Sequence, residues 1–179
     1  VAGWSYADVL PYFKRAEGNV RGADAFHGED GPLHVGNAAH DHDLFDAFVA
    51  SGVEAGYPAN PDFNGAEQEG FGRYQFNIRN GRRWSAAAAY LKPVLSRSNL
   101  TVETGSLTQH ILFENDRAVG VQYARGQEEI SVYAAREVIL SGGVINSPQL
   151  LMLSGIGPAD DLAQLGISTR VDRADVGGN

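Results

Sequence analysis

Hydrophobic positions in the first half of the chain recur at helical spacing and are separated by polar, glycine-rich loops. Residues 5–16 show the first such pattern behind a Ser5–Asp8 capping pair, and Pro11 predicts a break or a fresh first turn inside this helix. Two further helices are expected, residues 43–56 with Asp43 as the cap and a closing glycine, and residues 85–93 with Ser85 as the cap.

From about residue 99 the pattern changes to the two-residue period of β-strands. Residues 110–114 and 118–123 flank a short polar turn, which predicts a half-buried hairpin. Residues 138–140 form an unbroken apolar run, which is typical of a strand covered on both faces in a parallel sheet. Shorter elements complete the prediction: strands at 100–103, 130–132 and 168–171, and helices at 147–154 and 159–165 that each end at a glycine. The pattern therefore predicts a mixed α/β fold.

Composition excludes several classes of function. Fourteen Lys and Arg against 22 Asp and Glu give a net charge of −8, which disfavours nucleic acids and anionic membrane surfaces as partners. The absence of cysteine rules out disulfides, thiolate metal sites and thiol nucleophiles. No apolar run approaches the roughly 20 residues of a membrane span, and we expect a cytoplasmic location. Since the chain starts at Val1 and stops after a glycine pair, we expect an internal stretch of a longer protein, with a processed complete domain as the alternative.

The most informative stretch is residues 137–148, in which an apolar run leads into Gly142–Gly143 and then into Ser147–Pro148. If Ser147 and Pro148 begin a helix, backbone N–H groups at its positive end can receive a phosphate or a ribose hydroxyl. A glycine pair between a strand and a helix also serves plain packing, and the spacing alone does not separate the two uses.

The histidines suggest a metal cluster only weakly. His27, His34, His40 and His42 lie in a polar loop without the four-residue helical spacing of a metal motif, so solvated loop histidines are the simpler interpretation. His110 begins a strand and would be a general base only beside a substrate. We predict no metal ligand in the chain.

Residues 143–158, with the sequence GVINSPQLLMLSGIGP, resemble the second signature of the glucose–methanol–choline oxidoreductases. Other stretches are similar to this family in the same order: residues 4–13, 31–33, 62–65, 80–85 and 99–102. The resemblance covers essentially the whole chain and is strongest to the bacterial choline dehydrogenase-like branch. Val144 departs from the small residue that is usual in the family, which implies tighter packing there.

The resemblance implies an FAD-dependent alcohol dehydrogenase or oxidase that acts on a small-molecule alcohol. Residues 1–78 would belong to the substrate-binding or cap region, and residues 79–179 to a doubly wound FAD-binding domain, both incomplete. The implied cofactor contacts are the backbone at Thr108, the Ser141–Gly142–Gly143 turn, Asn146 and Asn179. The oligomeric state is not predicted.

The resemblance also implies that catalytic parts lie outside this chain. The family's glycine-rich pyrophosphate loop is expected upstream of Val1, and its catalytic histidine downstream of Asn179, so we predict no catalytic residue here. The chain alone is expected to be inactive and to bind FAD weakly or not at all. A non-catalytic α/β binding or structural module that has lost the flavin is the alternative, whereas a nicotinamide dehydrogenase is disfavoured because no dinucleotide fingerprint follows a strand.

Overall fold

The computed structural model describes residues 2–38 and 42–178. The chain forms two compact units, Val1–Thr101 and Val102–Asn179. The division predicted at residues 78 and 79 concerns functional regions of the longer protein, and it stays a prediction.

The first unit combines two helices with short strands. Its elements in order are α1 (Tyr6–Ala16), β1 (Glu17–Asn19), β2 (Leu33–Asn37), α2 (Asp43–Glu54), β3 (Gln75–Phe76), β4 (Ile78–Arg79), β5 (Arg82–Arg83), a π-helical turn (Ala87–Leu91) and a 3₁₀ turn (Lys92–Val94). Strand β2 pairs in parallel with β1 and antiparallel with β3, and β4 and β5 form a separate hairpin. Long loops connect these elements, as the polar stretches predict.

Helix α1 confirms the predicted capping pair. The Asp8 N–H donates to the Ser5 hydroxyl over 3.3 Å, and the Ser5 N–H donates to the Asp8 carboxylate over 3.0 Å. The hydrogen bonds from the Ser5 side chain and backbone hold the pKa of Asp8 below its usual value.

The predicted break at Pro11 is wrong, because α1 is continuous through this residue. Pro11 and Ala7 are exposed, so water can reach the Ala7 carbonyl that loses its helical partner.

The caps of the next two helical segments differ from the prediction in detail. Helix α2 is capped by His42, whose Nδ1 accepts from the Leu44 N–H over 3.1 Å, so the expected cap at Asp43 is wrong by one residue. Ser85 does accept a hydrogen bond from the Ala88 N–H over 3.3 Å. However, the segment that follows is a π-helical turn, and Pro93 lies within the 3₁₀ turn after it.

The second unit is built on an antiparallel meander. Its elements are β6 (Leu107–Glu114), β7 (Arg117–Arg125), β8 (Glu128–Tyr133), α3 (Gly143–Leu153), β9 (Ile156–Gly157), α4 (Ala159–Gln164) and β10 (Val171–Asp172). The sheet order is β6–β7–β8, and β9 pairs in parallel with β10. The predicted hairpin is confirmed, and both short helices end at glycines with positive φ, Gly155 and Gly166.

Two irregularities interrupt the β6–β7 ladder. Thr108 pairs with Tyr123 and His110 pairs with Gln122, so β6 carries one extra residue, Gln109. A second shift follows Leu112, where β7 carries the extra residue. Such β-bulges bend the strand locally and leave backbone groups outside the regular ladder.

Three expectations for the second unit are wrong. Residues 100–103 and 138–140 form no strand, and no described segment pairs with either, because a strand needs a neighbour to complete its hydrogen bonds. Ile139 is 76% exposed where a doubly covered strand was expected. Helix α3 begins at Gly143, four residues before Ser147. The last strand, β10, lies at the end of the predicted stretch and beyond it.

Among the described residues, the large side chain that is completely buried is that of Leu162. It packs in the second unit beside Gly157. Ile111 on β6 and Tyr123 on β7 are also buried there. No helix in the described ranges has both the length and the apolar character that crossing a bilayer requires.

Candidate functional site

A pocket of about 610 Å³ lies in the second unit. Residues of the β6–β8 meander, the irregular segment 137–142 and helix α3 line it. Its volume falls within the roughly 300–1,000 Å³ that is usual for small-molecule sites.

The pocket brings together most of the cofactor contacts expected from the sequence. Thr108, Ser141, Gly142 and Asn146 all line it, although they are up to 38 positions apart in the chain. Gly143 follows directly after the lining residue Gly142 and is not itself part of the wall. The remaining expected contact, Asn179, lies outside the described residues, as does His40 of the histidine loop.

Thr108 lies at the bulge of β6. Gln109, the residue that follows it, has no partner on β7, so the backbone here departs from the regular ladder. Bulges of this kind are common beside binding sites, where they redirect a side chain or free a backbone group. Thr108 itself is paired with Tyr123 and brings its hydroxyl group to the wall, next to the unpaired backbone of Gln109.

The glycine turn reaches the pocket at the start of α3. The Gly142 N–H donates to the Ser147 hydroxyl over 3.0 Å, so Ser147 stabilises the turn from inside the helix and does not begin the helix as predicted. A Cβ at position 142 would lie 3.0 Å from Asn146 Cβ, which leaves little room for a side chain. Gly143 has a φ of +86°, a conformation that favours glycine. No side chain caps this helix end in the described structure.

The lining is partly polar and carries one acidic side chain. Glu137 is the single ionisable carboxylate in the wall, and no Lys, Arg or His among the described residues lines the pocket. Serine, threonine and asparagine side chains supply donors and acceptors, while valine, leucine and isoleucine supply apolar contact. Such a surface suits an uncharged ligand with rings and hydroxyl groups.

On the helix face that lines the pocket, the sequence analysis found Asn146 and missed its neighbours. Gln149, Leu150 and Leu153 line the pocket at helical spacing from it. The signal was present in the sequence, but it requires a helix that starts at Gly143, and the Ser147–Pro148 pair pointed to a later start.

The histidines do not gather into one cluster among the described residues. His34 lies on β2, His42 caps α2, and the exposed His110 on β6 contacts the Leu153 carbonyl oxygen through Nδ1 over 3.1 Å. His27 is only 6% exposed, so the interpretation of a solvated loop histidine is wrong for it. Its ring lies between the carboxylates of Glu17 and Asp62.

Comparison with known proteins places the chain in a family. The glycine turn, the β-meander and the pocket together make up a mixed α/β unit with space for a small molecule. The family model described as GMC oxidoreductase matches residues 1–179. The chain therefore belongs to the GMC oxidoreductase family.

The individual relatives agree with this membership. The chain is 52% identical over 177 residues to the mitochondrial choline dehydrogenase of Homo sapiens, covering 99% of this chain and 30% of the relative. It is 51% identical over 178 residues to the oxygen-dependent choline dehydrogenase of Rhizobium etli, covering 99% of this chain and 32% of the relative. The chain thus spans about a third of the length of the curated relatives it matches.

Solved structures share the fold. Pyridoxine 4-oxidase from Mesorbium loti superimposes with a TM-score of 0.86 at 36% identity, over 94% of this chain and 33% of that one. An FAD-dependent oxidoreductase from Chaetomium thermophilum gives a TM-score of 0.89 at 27% identity, over 97% of this chain and 32% of that one. The mixed α/β fold class predicted from the sequence is confirmed.

Proposed function

We propose that the protein containing this chain is an FAD-dependent alcohol oxidoreductase, which oxidises a small alcohol by hydride transfer to the flavin. The family match over the whole chain is the observation that carries the proposal. Relatives at 51–52% identity named as choline dehydrogenases support it, and so does the structural neighbour described as an FAD-dependent oxidoreductase. Choline is therefore the first alcohol to test.

The pocket of the second unit is assigned to the adenosine portion of FAD. In this assignment, the backbone at Thr108 and the side chains of Ser141 and Asn146 provide hydrogen bonds. Gly142 and Gly143 allow close approach of the ligand to the backbone. The absence of basic side chains among the described lining residues fits adenine and ribose better than a pyrophosphate, which carries negative charge. Asn179 stays a predicted contact.

The described residues would bind and orient the cofactor, and none is assigned the removal of the alcohol proton. When bound, FAD accepts the hydride that leaves the carbinol carbon. The buried ring of His27 is engaged by two carboxylates, so it does not present a free nitrogen to a substrate. We therefore expect the 179-residue chain alone to show no alcohol-dependent dye reduction.

The double variant Ser141→Ala, Asn146→Ala in the intact protein tests the pocket assignment. Each lost hydrogen bond weakens binding by about 0.5–1.5 kcal/mol, so the dissociation constant for FAD should rise roughly 5- to 150-fold. Titration of the flavin-free protein with FAD, followed by flavin fluorescence, measures this change. Ser131→Ala with Gln164→Ala is the matched control, because both side chains are exposed in the same unit and outside the pocket.

The outcomes separate the cofactor site from the activity. Unchanged FAD affinity in the double variant would refute the pocket assignment and leave the activity proposal standing. An intact protein that binds no flavin and reduces no dye with choline or other small alcohols would overturn the proposed function, and would favour the non-catalytic alternative. The cytoplasmic location is likewise a proposal, which cell fractionation tests.

A further inference from the structure

His27 occupies a buried position between two acidic side chains of the first unit. Its Nε2 lies 2.9 Å from Asp62 Oδ2, and its Nδ1 lies 3.0 and 3.1 Å from the two oxygens of Glu17. Only 6% of the residue is exposed, so water competes little for these contacts. Removing a partner from a buried charged group of this kind is strongly destabilising, because it leaves an uncompensated charge.

The neighbouring amide shows which protonation state fits the geometry. Asn19 Oδ1 accepts from the Arg21 backbone N–H over 3.0 Å, which fixes the orientation of the amide. Its Nδ2 then donates to Glu17 Oε1 over 3.0 Å and to Gln75 Oε1 over 3.1 Å, so both hydrogens are used. Asn19 Nδ2 also lies 3.2 Å from His27 Nδ1, but with both hydrogens used elsewhere it does not need this nitrogen as an acceptor. Both ring nitrogens face carboxylates, and the imidazolium satisfies all of these contacts.

The three side chains join segments that are far apart in the sequence. Glu17 is the first residue of β1, His27 lies in the loop before β2, and Asp62 lies in the loop between α2 and β3. Glu17 also accepts from the Gly28 N–H over 3.1 Å, and Asn60 accepts from the Asp62 N–H over 2.8 Å. The ring thus links two loops, residues 20–32 and residues 55–74, that have few regular elements of their own. Arg21 adds a second link that does not depend on the histidine, because its Nη1 donates to the Pro61 carbonyl oxygen over 2.7 Å.

Other charged groups surround the histidine and support this link. Asp24 accepts from the Phe26 and His27 N–H groups over 2.7 Å each, so its carboxylate is occupied by backbone donors. These hydrogen bonds hold the pKa of Asp24 below its usual value. Lys14 Nζ donates to the Asp24 and Ala25 carbonyl oxygens. Asp24, His27 and Asp62 lie close enough to share a metal ion, and both nitrogens of the His27 ring already contact carboxylates.

We propose that His27 is a pH-sensitive latch, which in its protonated form ties the loops of residues 20–32 and 55–74 to the start of β1 and releases them when it loses a proton. The latch also forms part of a wall. His27, Glu17, Asn64 and Gly65 line a pocket of about 670 Å³ in the first unit, so opening the latch would change the shape of this pocket.

The direction of the pH effect follows from the environment of the ring. Burial lowers the pKa of His27, but hydrogen bonds to Asp62 and Glu17 and the charges of both carboxylates outweigh burial, so the pKa is raised above its ordinary value of 6.5. A raised pKa means that the latch is fully effective below pH 6.5 and is lost as the pH rises through the folded-state pKa. Alkaline conditions therefore open the loops.

Hydrogen exchange of the intact protein between pH 6 and pH 9 tests the latch. After correction for the intrinsic pH dependence of exchange, protection of peptides covering residues 20–32 and 55–74 should fall about tenfold per pH unit above pH 6.5, until the folded-state pKa is passed. In His27→Gln this slope should vanish, with low protection at every pH. Glu17→Gln should make the loss of protection smaller and end it at a lower pH, because removing one of the two charges that favour the imidazolium lowers the folded-state pKa of His27.

His110→Gln is the matched control, since His110 is an exposed histidine of the other unit and also makes one hydrogen bond. It should leave the pH slope of both loops unchanged. Protection that does not vary with pH in the unmodified protein would overturn the latch. So would a slope that persists in His27→Gln. If His27→Gln does not fold, the slope in the unmodified protein and its displacement in Glu17→Gln still decide the question.

Discussion

Leu162 provides the sharpest test of how the second unit is stabilised. This side chain is fully buried, whereas Leu165, three residues later at the C-terminus of the same helix, is 74% exposed. The side chain of Leu162 packs beside Gly157, where a Cβ would lie 3.7 Å from both of its terminal methyl carbons. The two leucines are thus chemically identical and differ in burial.

The expected cost of Leu162→Ala follows from that burial. Removing a fully enclosed leucine side chain destabilises a protein by about 2–5 kcal/mol, because apolar contact is lost and a cavity remains. A value near 3 kcal/mol corresponds to a change of roughly a hundredfold in the folding equilibrium. Leu165→Ala removes a side chain already in water and should cost no more than about 0.5 kcal/mol.

Hydrogen exchange of the chain at the β9–β10 pair is the suitable assay, because a two-unit protein need not unfold in one step. The Val171 and Arg173 N–H groups donate to the Gly155 and Gly157 carbonyl oxygens over 3.1 and 2.9 Å, and they report on this region. Protection there should fall about a hundredfold in Leu162→Ala and about twofold or less in Leu165→Ala. Equal losses in the two variants would refute the inference that burial of Leu162 stabilises the unit.

Two further substitutions are predicted from local geometry. Gly120→Ala would place a Cβ closer than 3.0 Å to the Val132 carbonyl oxygen, so β8 must move away from β7. We expect the free energy of unfolding, measured by thermal unfolding, to fall by about 1–3 kcal/mol and FAD binding to weaken. Unchanged values would contradict the strand spacing. Ser5→Ala removes the hydroxyl of the capping pair with Asp8, so the free energy of unfolding of the first unit should fall by about 1 kcal/mol; helicity and stability equal to the parent would show that the cap is unimportant.

The sequence predicted those elements whose determinants are local. The Ser5–Asp8 cap, the β6–β7 hairpin and the glycines that end α3 and α4 each depend on residues a few positions apart. The strand predicted at residues 138–140 is wrong for the opposite reason, because a parallel strand depends on partners that are distant in sequence. The burial of His27 could not be predicted either, because its partner Asp62 lies 35 positions away in the sequence.

Several residues of the candidate pocket were predictable from the sequence, but the backbone elements that carry them were not. The family resemblance supplied Thr108, Ser141, Gly142 and Asn146, and the structure brings these residues into one wall. The start of α3 and the bulge after Thr108 were not foreseen. Both depend on how backbone hydrogen bonds are shared between segments, which a residue pattern does not encode.

The two bulges of the β6–β7 hairpin have a consequence for how its length can vary. Gln109 is the extra residue of β6 and Val119 is the extra residue of β7, and the two shifts cancel, so Glu114 faces Arg117 across a two-residue turn. Removing Gln109 would leave Thr108 and His110 as consecutive residues opposite Tyr123 and Gln122, so the ladder would be regular there and Thr108 would keep its partner. Removing Val119 would do the same for Leu112 and Phe113 opposite Gly120 and Ala118. Each strand can therefore lose its extra residue without changing which residues face each other in the rest of the hairpin.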